Sequence, residues 1–75
     1  MTDRRIGRLG KRIRELRKER GLSQEGLANI TKIDRSYMGS IERGERNITL
    51  IKFLHICDAL EIHPSELFED FTMTK

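Results

Sequence analysis

The stretch LSQEGLANITKIDRSYMGSIERG, from Leu22 to Gly44, constrains the fold more than any other. Its polar punctuation cuts the chain into two short helices. Ser23 is placed to cap the first, its hydroxyl accepting an amide that the opening turn leaves unpaired. Gln24 to about Ile30 follows, with Leu27, Ala28 and Ile30 as inward candidates. Thr31 to Ile33 form a turn, and Asp34 caps a second helix from about Arg35 to Arg43. There Met38 and Ile41, three apart, join Ile33 on the buried side, and Gly44 closes the unit. The same periodicity turns Arg35, Ser36, Gly39, Ser40 and Arg43 outward. Helices this short are marginal in water unless something packs against them. The partners must come from the flanking sequence.

Both flanks supply helices. Ile6, Leu9, Ile13 and Leu16 form one apolar face of a helix from Arg4 to Glu19, stopped near Gly21. The Lys11–Glu15 and Glu15–Lys18 spacings would support its exposed side. After a connector, Glu45 to Ile48, Thr49 caps a helix from Leu50 to Leu60 that carries more apolar residues than one face needs. The excess predicts burial on two sides, one of them against a second copy. His63-Pro64 restarts the chain as a short helix to about Glu69, bringing Leu67 and Phe68, with Phe71 just beyond and a frayed end over Thr72 to Lys75. The expected fold is therefore all-α, a compact five-helix single domain over 1–75, with the helix-turn-helix at 23–43 and a dimerisation region at 50–71.

Seventy-five residues bury only about 60% of the surface of the unfolded chain. A single cysteine permits no intrachain disulfide, which leaves oligomerisation as the means of support. No apolar run approaches the length of a membrane span and no signal peptide is present, so a cytoplasmic protein with no membrane partner is expected. The net charge of +3 conceals a polarity: Met1 to Arg20 holds nine basic residues against three acids, whereas Asp58 to Lys75 holds five acids against one lysine. Such a molecule turns one end toward a polyanion.

A helix entering the DNA major groove needs short outward side chains and a long donor that reaches a base edge. The helix after Asp34 has both. Arg35 can bond guanine bidentately, and Ser36, Gly39 and Ser40 keep the surface low. Tyr37 either packs on a thymine methyl or phosphate, or closes the core. Gln24 stands at a helix start suited to anions, and Arg43, Arg46 and Asn47 could grip the other backbone, although Arg43 has Glu42 and Glu45 as rival partners. Arg12 and Arg17 are weaker phosphate candidates. His55, Cys57 and His63 do not converge as metal ligands, so no metal or cofactor is expected, and no nucleophile, general acid–base pair or phosphate loop argues for an enzyme.

The runs SQEGLA, DRSYMGSIERGERN and ITLIKFLHICDALEIHPSELF resemble the lambda-repressor-like (XRE-type) helix-turn-helix domains of bacterial and phage regulators, from Ile6 to Phe68. Within that family the chain is most similar to the controller proteins of restriction-modification systems. The resemblance implies a homodimer on a double-stranded DNA operator. Arg35, Ser36, Tyr37 and Ser40 would face bases, and Gln24, Arg43, Arg46 and Asn47 would hold phosphates. Ile51, Phe53, Leu54, Leu67 and Phe68 would form the dimer contact. RNA polymerase is a further candidate partner, and an antitoxin or phage-type repressor with a different protein on its last helices is the alternative. Three positions depart from the family pattern: Gly26 where an acid is common, Ile48 where Pro is common, and Lys32 where the turn favours Gly or Asn. A lysine at positive φ is unfavourable. With no residues left for a ligand-sensing domain, the expected input is the protein's own concentration.

Overall fold

The computed structural model describes residues 3–68. Five helices follow in order: α1 (Arg4–Glu19), α2 (Gln24–Thr31), α3 (Arg35–Glu42), α4 (Leu50–Leu60) and α5 (Pro64–Phe68). The architecture is the expected all-α one. Expectations for Glu69, Phe71 and Thr72 to Lys75 lie outside the described residues.

Caps set the boundaries. Ser23 Oγ accepts from the Gly26 amide at 2.9 Å, Asp34 from those of Ser36 and Tyr37 at 2.9 and 3.3 Å, and Thr49 from that of Lys52 at 3.2 Å. Asp3 opens α1 by accepting from the Arg5 amide, and the Arg5 guanidinium bound to it holds its carboxyl down at about 2. At α5 the His63 ring Nδ1 accepts from the Ser65 amide while Glu66 accepts from the His63 amide, a reciprocal box that restarts the chain before Pro64. Gly21 and Gly44 sit at φ +72° and +76°, the left-handed closures that helix ends favour.

The core is one cluster to which every helix contributes: Ile13 and Leu16 from α1, Leu27 and Ala28 from α2, Met38 and Ile41 from α3, four residues of α4, and Leu67 from α5. Helix α2 packs on α3 and α4, and α1 packs on α3 and α5. Ile30 departs from the expectation and is 54% exposed. Thr31 takes the inward position instead, because its hydroxyl donates to the Leu27 and Ala28 carbonyls at 2.8 and 3.1 Å and so loses nothing by burial.

Two close contacts fix α3 against α1. A Cβ added at Gly10 would collide with the Ile41 carbonyl and come within 2.8 Å of the Glu42 carbonyl oxygen. Only glycine lets the two backbones meet there. Beside this crossing, Arg17 and Glu42 form a buried ion pair. The turn between α2 and α3 does take the unfavourable form: Lys32 lies at φ 61°, ψ 28°, and Ile33 donates to the Ala28 carbonyl at 3.0 Å. The hydrogen bond that closes the helix end offsets the left-handed strain, so the departure from Gly leaves the turn geometry intact.

Candidate nucleic-acid interface

The buried pair is the foundation of the site. Arg17 Nε and Nη2 reach the two carboxylate oxygens of Glu42 at 2.8 and 3.1 Å, and Nη1 donates to the Leu22 carbonyl at 2.9 Å. Gln24 Nε2 donates to the same carboxylate at 3.1 Å. Helices α1, α2 and α3 are thereby locked at one point by a bidentate, geometrically exacting pair. Arg17 is therefore a positioning residue, and its candidacy for phosphate falls. Arg12 pairs with Glu15 at 3.4 Å, in place of the expected Lys11 and Lys18 partners.

Above this lock lies a shallow concavity lined by Gln24, Arg35, Ser36, Gly39, Ser40 and Arg43. Arg35 and Ser36 are exposed, and among the described residues Arg35 makes no ion pair. Ser40 shares the face but is recessed, 9% exposed, with its hydroxyl donating to the Ser36 carbonyl at 3.1 Å. Gly39 is recessed as well: a Cβ there would lie 3.1 Å from Arg43 Nη1 and 3.2 Å from Gln24 Oε1. These two side chains roof the small residues, which is why the outward strip of the periodicity is lower than a helical wheel suggests. The missing Cβ keeps the floor of this face low.

Arg43 does not wait unpaired. It binds Glu45 through Nε at 3.0 Å and Nη2 at 3.2 Å, so its pKa is raised by that hydrogen bond and the Glu45 carboxyl is correspondingly lowered. The rivalry foreseen in the sequence is thus resolved toward Glu45, while Glu42 belongs to Arg17. An exposed pair of this kind is weak and exchangeable, and a phosphate can displace the carboxylate.

The remaining candidates form a second group. Tyr37 is half-buried against the core, and its ring lies under Lys52 Nζ at 4.2 Å and the Arg46 guanidinium at 5.3 Å from the centroid. The core reading of Tyr37 fits this burial, and the ring carries a cationic rim besides. Asn47 is exposed but lines a concavity with Ile6 and Leu9, away from Gln24. Of the residues expected at the dimer contact, Phe53 and Leu67 are 4% and 1% exposed within the chain itself, so they serve the core. Ile51 is exposed, Leu54 half-buried, and Phe68 is 46% exposed while stacking on Phe53 with centroids 5.0 Å apart.

Sequence reasoning missed the Arg17–Glu42 lock and the part played by Lys52. A signal for the lock existed. Arg17 follows Ile13 and Leu16 in the phase of the apolar stripe, and Glu42 follows Met38 and Ile41 in the same way. Two opposite charges in core phase imply a buried pair. The lysine lies three residues after an N-cap and gave no such signal.

A short recessed helix offered beside basic side chains, braced from behind by a helix whose amino end points at the same face, defines a helix-turn-helix DNA-binding protein. The helix-turn-helix family profile matches residues 13–67. The control protein C.MunI of a Mycoplasma species is 45% identical over 64 residues, covering 84% of this chain and 86% of the relative. The control protein C.BamHI of Bacillus amyloliquefaciens is 39% identical over 64 residues, with 84% and 78% covered. The crystal structure of the restriction-modification controller protein C.AhdI from Aeromonas hydrophila superposes with a TM-score of 0.82 at 51% identity, covering 84% of this chain and 96% of that one. The chain belongs to the helix-turn-helix family and, within it, to the restriction-modification controller proteins; it is a DNA-binding transcriptional regulator. Proteins of this family regulate and do not catalyse. Among the described residues no helix is long and apolar enough to cross a membrane.

Proposed function

We propose that the chain binds an inverted-repeat operator as a homodimer and, in the cytoplasm, controls a restriction-modification operon that includes its own gene. The observation that carries this reading is one chain's combination of a recessed α3 face with an uncovered apolar edge. On that edge Leu50 and Ile51 of α4 are 67% and 60% exposed, and Phe68 of α5 closes over the same groove as Leu50. Apolar side chains gathered at one edge mark a surface made to be covered. Covering it with a second copy presents the α3 face twice, with half-site centres about 34 Å apart or a multiple of that. The names of the relatives, a control protein and a restriction-modification controller protein, support the link to such a system.

On this reading Arg35 and Ser36 reach bases, with Ser40 setting the floor and Tyr37 flanking them. Gln24, Arg43, Arg46 and Asn47 hold phosphates, and Ile51, Leu54 and Phe68 join the two copies. Occupancy then rises steeply with concentration, because the dimer must assemble before it binds well. RNA polymerase is the further partner of a dimer seated beside a promoter. DNase footprinting over a dilution series, paired with sedimentation equilibrium, tests the proposal: the protected site should be two-fold symmetric and its occupancy sigmoidal. A concentration-independent monomer that protects an asymmetric site at full affinity contradicts it.

A further inference from the structure

Helix α1 carries a basic flank that the site described so far leaves unused. One line of α1 faces the C-terminal end of α3. A Cβ at Gly44 would lie 2.7 Å from the Gly7 Cα, Gly10 meets the Ile41 and Glu42 carbonyls, and Arg17 grips Glu42. With 3.6 residues per turn, Arg14 falls on the solvent side of that line, and Lys11 and Lys18 run beside it as the rest of one stripe. All three are exposed, and among the described residues none belongs to an ion pair. On the neighbouring flank Arg5 and Arg12 are held by Asp3 and Glu15, and Lys11 borders that flank, lining one concavity with Arg8, Arg12 and Glu15.

The stripe also has a direction. Arg14 stands on the turn between Gly10 and Arg17, and Arg17 shares the Glu42 carboxylate with Gln24 at the opening of α2. It therefore leads to the edge of the concavity on α2 and α3. Three cations in a row repel one another, and among the described residues no ion pair offsets that repulsion. A polyanion alongside reverses that sign, and a DNA backbone held at Gln24, as proposed above, would lie at this edge.

We propose that Lys11, Arg14 and Lys18 form a phosphate-contacting strip that extends the DNA footprint onto α1. The inference rests on the DNA-binding reading above and adds a surface to it. Long flexible cations of this kind add affinity without base preference. The relevant experiment measures equilibrium binding to operator and scrambled duplexes across a salt series. The proteins are the wild type, a Lys11→Gln/Arg14→Gln/Lys18→Gln variant, and a charge-matched Arg5→Gln/Arg8→Gln/Arg12→Gln variant.

The first triple variant should lose affinity about equally on both duplexes, and its log K against log salt slope should flatten by about 2 to 3, near 0.9 for each phosphate contact removed. The charge-matched variant should keep most of the slope. An unchanged slope in the first variant, or equal flattening in the second, overturns the strip while leaving the helix-turn-helix reading intact. A wild-type protein that binds neither duplex overturns both. Matching thermal melts of the two variants keep the comparison one of binding.

Discussion

The two ends of the helical stack are held together by opposite means. Where α1, α2 and α3 meet, charge and close approach do the work: Arg17, Gln24 and Glu42 satisfy one another, and Gly10 lets two backbones touch. Where α4 and α5 meet, contacts are apolar and incomplete, with Phe53 and Leu67 buried but Leu50, Ile51 and Phe68 left toward solvent. The first junction closes on itself, and it orients α3 with a bidentate pair that tolerates little rotation. The second is open. Thus α3 is positioned within one chain, whereas the apolar edge is left uncovered by it.

The sharpest way to break the comparison is to remove one partner of the lock. Glu42→Ala leaves Arg17 buried without its carboxylate and should destabilise the fold by about 3 to 5 kcal/mol. Denaturant unfolding checks this, and a loss below about 1 kcal/mol would mean that the pair is solvated and positions nothing. A buried ion pair is not by itself a source of stability, since an apolar pair of like volume can do as well. Its value here is the geometry imposed on α3.

At the open junction the two kinds of side chain should separate cleanly. Leu67→Ala should cost about 2 to 5 kcal/mol of stability, as expected for a fully buried leucine. Ile51→Ser, on an exposed position, should leave the melting of a dilute sample within about 0.5 kcal/mol of wild type while weakening self-association. Sedimentation equilibrium and urea melts of both variants would test this. If Ile51→Ser unfolded the chain, or left the association constant untouched, the division between core and edge would be misplaced.

The turn between α2 and α3 offers a smaller test. Lys32 holds a left-handed conformation that glycine adopts freely, so Lys32→Gly should stabilise the fold by up to about 1 kcal/mol. A destabilisation would show that the Lys32 side chain contributes more than its backbone strain removes.

The range of each interaction decides whether the sequence alone reveals it. The five helices and the caps Ser23, Asp34 and Thr49 were readable, because a cap is local chemistry within a few residues of what it satisfies. The membership of the outward strip on α3 was readable too, from its periodicity. Its depth was not. Ser40 and Gly39 are recessed because Arg43 and Gln24 fold over them, and Gln24 comes from another helix. The Arg17–Glu42 lock spans 25 positions, and only the phase of each residue hinted that it was not ordinary surface charge. The resemblance places Phe53 and Leu67 at a partner contact, and apolar excess alone does not say which members of the set the chain covers itself. Ile30 was turned inward for a related reason: a threonine that satisfies its own hydroxyl can displace an isoleucine from the core.

We propose that α3, set in place by the lock and duplicated by the edge, reads bases through Arg35. Selection of binding sites from a randomised duplex library, run in parallel with wild type and Arg35→Ala, tests it most directly. Wild type should return an inverted repeat with half-site centres about 34 Å apart or a multiple. Arg35→Ala should return the same repeat with preference relaxed at one base pair in each half, at a cost of about 1 to 3 kcal/mol on the operator. Asymmetric single sites from wild type, or identical preferences from the two proteins, would contradict the account.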